Sequence, residues 1–68
     1  MNFVYVLKIR HSGDEDQVFL FDNMQKVNDA VFEFFQMDDQ RHRGLDGFQY
    51  WLMDRDHGYF EVTTEIIR

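Results

Sequence analysis

The chain has 68 residues, which is enough for one domain with a single core and too few for a second catalytic lobe. Its 44% hydrophobic and 18% aromatic residues exclude a disordered chain, and the absence of Cys excludes disulfides and thiolate zinc sites. A formal net charge of -6 disfavours direct binding to nucleic acid and favours a basic protein partner, although charge also keeps a small apolar protein in solution.

Two strands joined by a hairpin are predicted at the start of the chain. Residues 3–11 alternate with period two, so that Val4 and Val6 lie on the opposite side from the other apolar residues of the strand. Residues 12–16 are polar and contain a glycine, which is typical of a hairpin loop. Residues 17–21 then contain an unbroken apolar run, which predicts a second strand buried on both faces.

A helix is predicted to follow the second strand. Asp22 and Gln25 have the spacing of a reciprocal N-terminal cap, so we expect the helix to begin near Asn23 or Met24. Apolar residues at helical spacing continue to Met37 or Asp38, where the helix is expected to end. Phe32 projects from the flank of this stripe, which makes the apolar arc wider than one sheet face requires.

The second half of the chain predicts a long loop and two more strands. Residues 38–47 are polar and contain two glycines, which favours a loop. Residues 48–54 carry large groups at alternating positions, and residues 59–67 are rich in β-branched side chains, so both segments favour strands. The expected fold is therefore α+β, a single domain of ββαββ order over residues 1–68, with a four-stranded antiparallel sheet and one helix packed on one face.

One helix is too small to cover both sides of such a sheet, so the uncovered side is the main candidate for function. The apolar residues expected there are Val4, Val6, Trp51, Met53, Tyr59 and Ile67, with Phe32 extending the patch. Trp51 is the first expected anchor, because large aromatic groups dominate interface energetics. The competing interpretation is that the sheet curls or that residues 38–47 fold over this side.

Carboxylates cluster in the predicted loops, above all at Asp14, Glu15 and Asp16. Spaced carboxylates can imitate the phosphates of nucleic acid and occupy a basic groove, which favours an inhibitor of a nucleic-acid-binding protein. Ordinary solvated loops give the same pattern. The leading hypothesis is a non-enzymatic binding module with a protein partner, and a symmetric homodimer through the uncovered side is compatible with the same residues.

The alternatives are a small toxin-like ribonuclease using His42, Arg41 and Arg43, and a structural subunit of a larger complex. No nucleophilic cysteine, phosphate-binding glycine loop or Ser–His–Asp ordering is present, so no enzymatic activity and no cofactor are expected. The carboxylates around His57 are too few to predict a metal site. The apolar start lacks the flanks of a signal peptide and no segment predicts a membrane span, so a cytoplasmic protein is expected.

In size, acidity, absence of Cys and expected ββαββ order, the whole chain resembles small phage-encoded antidefence proteins, which include anti-CRISPR inhibitors and DNA mimics. The resemblance implies a protein that acts by occupying the surface of another protein. The chain contains no motif specific to these proteins, so no functional residue is assigned from the resemblance.

Overall fold

The computed structural model describes residues 2–67, which form an α+β domain with a three-stranded antiparallel sheet. The strands are β1 (Asn2–His11), β2 (Gln17–Phe21) and β3 (Gly58–Ile67), in the spatial order β2-β1-β3. Between β2 and β3 the chain forms helix α1 (Met24–Phe34), a 3-10 helix (Asp38–Arg43) and helix α2 (Gly44–Arg55). The α+β class, the first hairpin and the last strand are as the sequence predicted.

The predicted third strand is wrong, because residues 48–54 belong to α2. Leu45, Phe48 and Leu52 are spaced three and four residues apart, which places them on one side of a helix, and Phe48 and Leu52 are fully buried. This burial outweighs the strand preference of the aromatic residues in the segment. The expected loop is also wrong, since residues 38–43 form the 3-10 helix and residues 44–47 form the first turn of α2.

Helix α1 begins where the sequence predicted, but its cap is a different residue. The side-chain oxygen of Asn23, not that of Asp22, accepts a hydrogen bond from the Lys26 backbone N–H at 2.9 Å. The helix ends at Phe34, earlier than expected, and Gln36 then adopts a left-handed backbone with φ of 55°. After this left-handed residue the chain continues into the 3-10 helix. The last apolar residues of the predicted helix therefore lie outside α1.

Both helices pack against one side of the sheet and against each other. The strand register aligns Leu7 with Phe19 and with Val62, and Ile9 with Phe60, so these side chains point to the same side. The buried core consists of Leu7, Ile9, Val27, Val31, Phe32, Phe35, Phe48, Leu52 and Phe60. No helix within residues 2–67 has the length and apolar character needed to cross a membrane.

The backbone hydrogen bonds fix which groups of the edge strands face away from β1. Ser12 N–H donates to the His57 carbonyl at 2.9 Å, so even-numbered residues of β1 bond to β3 and odd-numbered ones bond to β2. The N–H and C=O groups of Val18 and Leu20 therefore point away from the sheet, at the free edge of β2. At the free edge of β3, the Gln49 side-chain amide donates to the Phe60 carbonyl at 2.8 Å.

Candidate functional site

The side of the sheet opposite the helices is uncovered, and we call it the open face. Its apolar members are Val4, Val6, Val18, Leu20, Tyr59 and Ile67. Leu20 is 64% exposed, Val18 57% and Ile67 51%. Val4, Val6, Val18 and Leu20 form an apolar group on β1 and β2, with Lys8 opposite Val18. The β3 part of the same face has Tyr59 and Ile67 near its ends and the polar residues Glu61, Thr63 and Glu65 between them. A surface of this kind is typical of an interaction site.

Three of the predicted partner-binding residues lie on the open face, as expected from the strand alternation. Val4 and Val6 are half-buried in the central strand, where Val6 is directly between Leu20 and Thr63. Tyr59 is half-buried near the start of β3, with the Arg10 guanidinium 5.2 Å from the centre of its ring. The open face therefore keeps its predicted position although the sheet has one strand fewer.

Trp51 and Met53 are not on the open face, because both belong to α2. The half-buried indole of Trp51 is stacked with Phe48 at 5.9 Å and with His57 at 5.6 Å between ring centres. The guanidinium groups of Arg55 and Arg43 lie 4.5 and 5.6 Å from it. The chain itself thus surrounds the indole, and the prediction that Trp51 anchors a sheet interface is wrong. Met53 is 56% exposed, on the helix.

Phe32 is also misplaced by the prediction, since it is fully buried and contributes nothing to an exposed patch. Its ring lies 4.6 Å from that of Phe48 in α2, and the Arg41 guanidinium covers it at 5.4 Å. The apolar arc of α1 is wide because the helix contacts a second helix as well as the sheet. Part of the apolar surface that the sequence analysis assigned to a partner is therefore covered by α2.

The predicted acidic cluster lies in the exposed hairpin loop between β1 and β2. Asp16 forms an ion pair with Arg10 at 2.8 Å. Asp14 and Glu15 form no ion pair with any residue of the described range 2–67. The uncompensated negative charge next to β2 is therefore at the hairpin end of that strand.

The basic residues proposed for ribonuclease chemistry are engaged with their own neighbours. Arg41 contacts Asp38 and also Asp29, the latter at 2.6 Å, and these hydrogen bonds, that from Asp38 foremost, raise the pKa of the guanidinium. His42 places Nδ1 3.0 Å from the Asp39 carbonyl, and Arg43 donates to Gln40. A guanidinium held by two carboxylates is a structural cation rather than a free phosphate ligand. The ribonuclease alternative, which needs a free basic group at this position, stays a prediction.

Within residues 2–67, no three His, Asp or Glu side chains are grouped so as to hold a metal ion. A groove of about 450 Å³ lies between α2 and β3 and is lined by Asp46, Gln49, Tyr50, Met53 and Tyr59. Its lining mixes a carboxylate, an amide and phenol groups with one thioether. This set contains no convergent catalytic pair, and Gln49 in it is already bonded to the β3 backbone.

Sequence reasoning missed the exposure of β2. Its apolar run was expected to be buried on both faces, but all its residues are exposed or half-buried. Helix α1 packs against β1 and β2 and α2 packs against β3, but α1 covers the helix side of β2 only in part, since Phe19 remains 39% exposed. Beneath β2, on the helix side, is an apolar groove of about 350 Å³, which we call the β2 groove, lined by Leu7, Ile9, Phe19, Phe21, Ala30, Glu33 and Phe34.

Comparison of the chain with protein-family models, with curated proteins and with solved structures finds no match. Three of the five residues of β2 are exposed large apolar residues, a higher share than in any other strand or helix of residues 2–67.

Proposed function

We propose that this protein is a small non-enzymatic binding module of the cytoplasm, an inhibitor or regulator that occupies the surface of another protein. The observation that carries the proposal is the exposure of β2, a strand of strongly apolar composition that is uncovered on the open face and only partly covered by α1 on the other. Isolated exposed apolar residues are ordinary on proteins, but a contiguous group on a sheet edge is not.

The size of the apolar surface supports a binding role. Withdrawing one large apolar side chain from water contributes up to about 1.5–3 kcal/mol. Val18 and Leu20 on the open face and the 39% exposed Phe19 on the other side are each exposed only in part, so covering all three would contribute about 2–5 kcal/mol. This sum is comparable with the roughly 5 kcal/mol by which a small domain is stable, so leaving the strand uncovered is costly.

Charge favours a basic target. The net charge of -6 and the unpaired Asp14 and Glu15 would attract a positively charged surface and accelerate the encounter. The chain resembles antidefence inhibitors and DNA mimics in size, acidity and absence of Cys, which favours such a target. Its element order, however, is not the ββαββ order that was expected. A basic, nucleic-acid-binding protein is therefore the partner class that we favour.

Leu20→Glu, with Tyr50→Glu as a matched control, tests this proposal. Both substitutions add one carboxylate at an exposed position, since Leu20 is 64% and Tyr50 77% exposed, and both should change stability by no more than about 0.5 kcal/mol. In affinity capture from the source cell followed by mass spectrometry, wild type and Tyr50→Glu should retain the same protein, and Leu20→Glu should lose it. Equal capture by Leu20→Glu and wild type would contradict the proposal.

A homodimer through the open face is the competing occupant of the same surface. Sedimentation of wild type and Leu20→Glu distinguishes the two. A monomeric wild type supports a foreign partner, whereas a wild-type dimer that Leu20→Glu dissociates would identify the partner as a second copy of this chain.

A further inference from the structure

The free edge of β2 offers backbone groups as well as apolar side chains. The N–H and C=O groups of Val18 and Leu20 point away from β1, as the bond between Ser12 and His57 establishes for the whole sheet. Sheet edges are usually protected by Lys, by Pro or by other charged residues, and β2 contains none of these. The edge can therefore accept a further strand by main-chain hydrogen bonds.

The surroundings of this edge suit the two faces of an added strand. Side chains on one face would lie next to Val18 and Leu20 on the open face, and alternate side chains would enter the β2 groove next to Phe19 and Phe34. By contrast, the edge of β3 is bonded to Gln49 at Phe60, and that strand carries the charged residues Glu61 and Glu65, which disfavour pairing with a further strand. The β2 edge combines a free backbone with an apolar receptor on both faces.

Negative charges near the hairpin indicate which end of an added strand should be basic. The ring of His11, at the end of β1, is stacked on Phe34 at 4.4 Å, so the C-terminal part of α1, including the groove residue Glu33, is next to the hairpin. Glu33, Asp14 and Glu15 thus place negative charge at the same end of β2, and none of the three forms an ion pair with any described residue. An occupant with Lys or Arg at this end would complement them.

A second copy of β2 does not fit this description. Residues 14–22 contain four carboxylates and no basic residue. Pairing two copies antiparallel about Phe19 would place Asp16 of each opposite Asp22 of the other. Arg10 and Lys26 of the same chain already compensate these two carboxylates, so the added copy of β2 would bring no cation to Asp14 or Glu15. The charge pattern therefore favours a foreign segment.

We infer that β2 binds an extended segment of a partner protein as a fourth strand, antiparallel to β2, with apolar alternate side chains and with Lys or Arg at its C-terminal end. The C-terminal end follows from the antiparallel direction, which is the more stable pairing and places that end next to the hairpin. This inference rests on the proposed function and specifies its partner as a strand rather than a folded surface.

The test uses a synthetic peptide, acetyl-VTVTVKK-amide, and a control peptide, acetyl-KKVTVTV-amide, with isotope-labelled protein. The first peptide should bind more tightly, by about tenfold at low salt, and should slow hydrogen exchange at the amides of Val18 and Leu20. Absence of protection at these two amides at millimolar peptide would overturn the inference. So would protection confined to the β3 edge, or equal affinity of the two peptides.

Leu20→Pro and Leu20→Ala separate the backbone contribution from that of the side chain. Proline at position 20 removes a free-edge donor but no bond to β1, and proline is tolerated at such positions, so the protein should fold. Both substitutions shorten the side chain, and only Leu20→Pro also removes the free-edge N–H, so Leu20→Pro should weaken peptide binding about tenfold more than Leu20→Ala does. Equal weakening in both would contradict strand addition. If Leu20→Pro does not fold, the wild-type amide protection decides the matter alone.

The outcomes distinguish this inference from the proposed function. If neither peptide binds while Leu20→Glu still loses its captured partner, the protein is a binding module and strand addition is wrong. If Val18 and Leu20 become protected without peptide as protein concentration rises, a second copy occupies the edge and the inference is wrong.

Discussion

Phe32→Ala should bring the protein close to its unfolding midpoint at room temperature. Removing a fully buried Phe costs about 3–5 kcal/mol through lost burial and the cavity left behind. A domain of this size is stable by about 5 kcal/mol. The ring is fully buried and lies 4.6 Å from Phe48, so the cavity would open at the contact between α1 and α2.

Urea unfolding monitored by circular dichroism measures this effect, with Phe3→Ala as the matched control. Phe3 is 47% exposed at the end of the sheet and contacts Tyr5 edge to face, so its removal should cost about 1 kcal/mol or less. If Phe32→Ala were as stable as Phe3→Ala, Phe32 would be a surface residue, as the sequence alone suggested, and the packing of α1 against α2 would be wrong.

Gly58→Ala is the second substitution with a large expected effect, because a methyl group has no room at this position. A Cβ atom there would lie 2.5 Å from the Arg10 carbonyl oxygen and 2.6 Å from a ring carbon of Phe35. Phe35 belongs to the core, and the Arg10 carbonyl is part of the ladder between β1 and β3. Relieving the clash requires a shift of both, which we expect to cost about 3 kcal/mol or more.

Gly47→Ala is the matched control for Gly58→Ala. Gly47 lies inside α2, where an added Cβ would meet only the Arg43 Cβ at an ordinary 3.4 Å. Alanine is favoured over glycine in a helix by about 0.5–1 kcal/mol, so this variant should be more stable than wild type. Thermal unfolding of both variants provides the comparison. A Gly58→Ala variant with wild-type stability would contradict the close approach of β1, β3 and α1.

Local patterns were sufficient to predict the elements that have one apolar side. The alternation of β1 and the β-branched residues of β3 gave their positions, and the helical spacing from Met24 onward gave α1. The alternation also placed Val4, Val6 and Tyr59 on the open face. These predictions succeeded because each pattern has a single period and one buried side.

The predictions failed where aromatic residues are dense. Residues 48–54 carry large groups on both alternating sides, which fits a strand, but Leu45, Phe48 and Leu52 also fit a helix, and only tertiary packing distinguishes the two. Trp51 was placed on the wrong element for this reason. For β2, an unbroken apolar run is the same whether both faces are buried or both are uncovered, so the sequence could not reveal the free edge.

The expected four-stranded sheet and the observed three-stranded one are related by the inferred mode of binding. The fourth strand of the prediction was taken from this chain, at residues 48–54, which instead form the helix that covers Phe32. A partner segment on β2 would restore a sheet of four strands. It would also cover Val18, Phe19 and Leu20, three of the exposed large apolar residues.

The most direct test of the account is amide hydrogen exchange, residue by residue, in dilute isolated protein. Phe19 and Phe21 donate to β1 and should exchange slowly, whereas Val18 and Leu20 in the same strand should exchange nearly as fast as an unstructured peptide. Such alternation along β2 would establish an open edge available to a partner. Slow exchange at Val18 and Leu20 in the isolated monomer would mean that the chain already covers this edge, which contradicts the account.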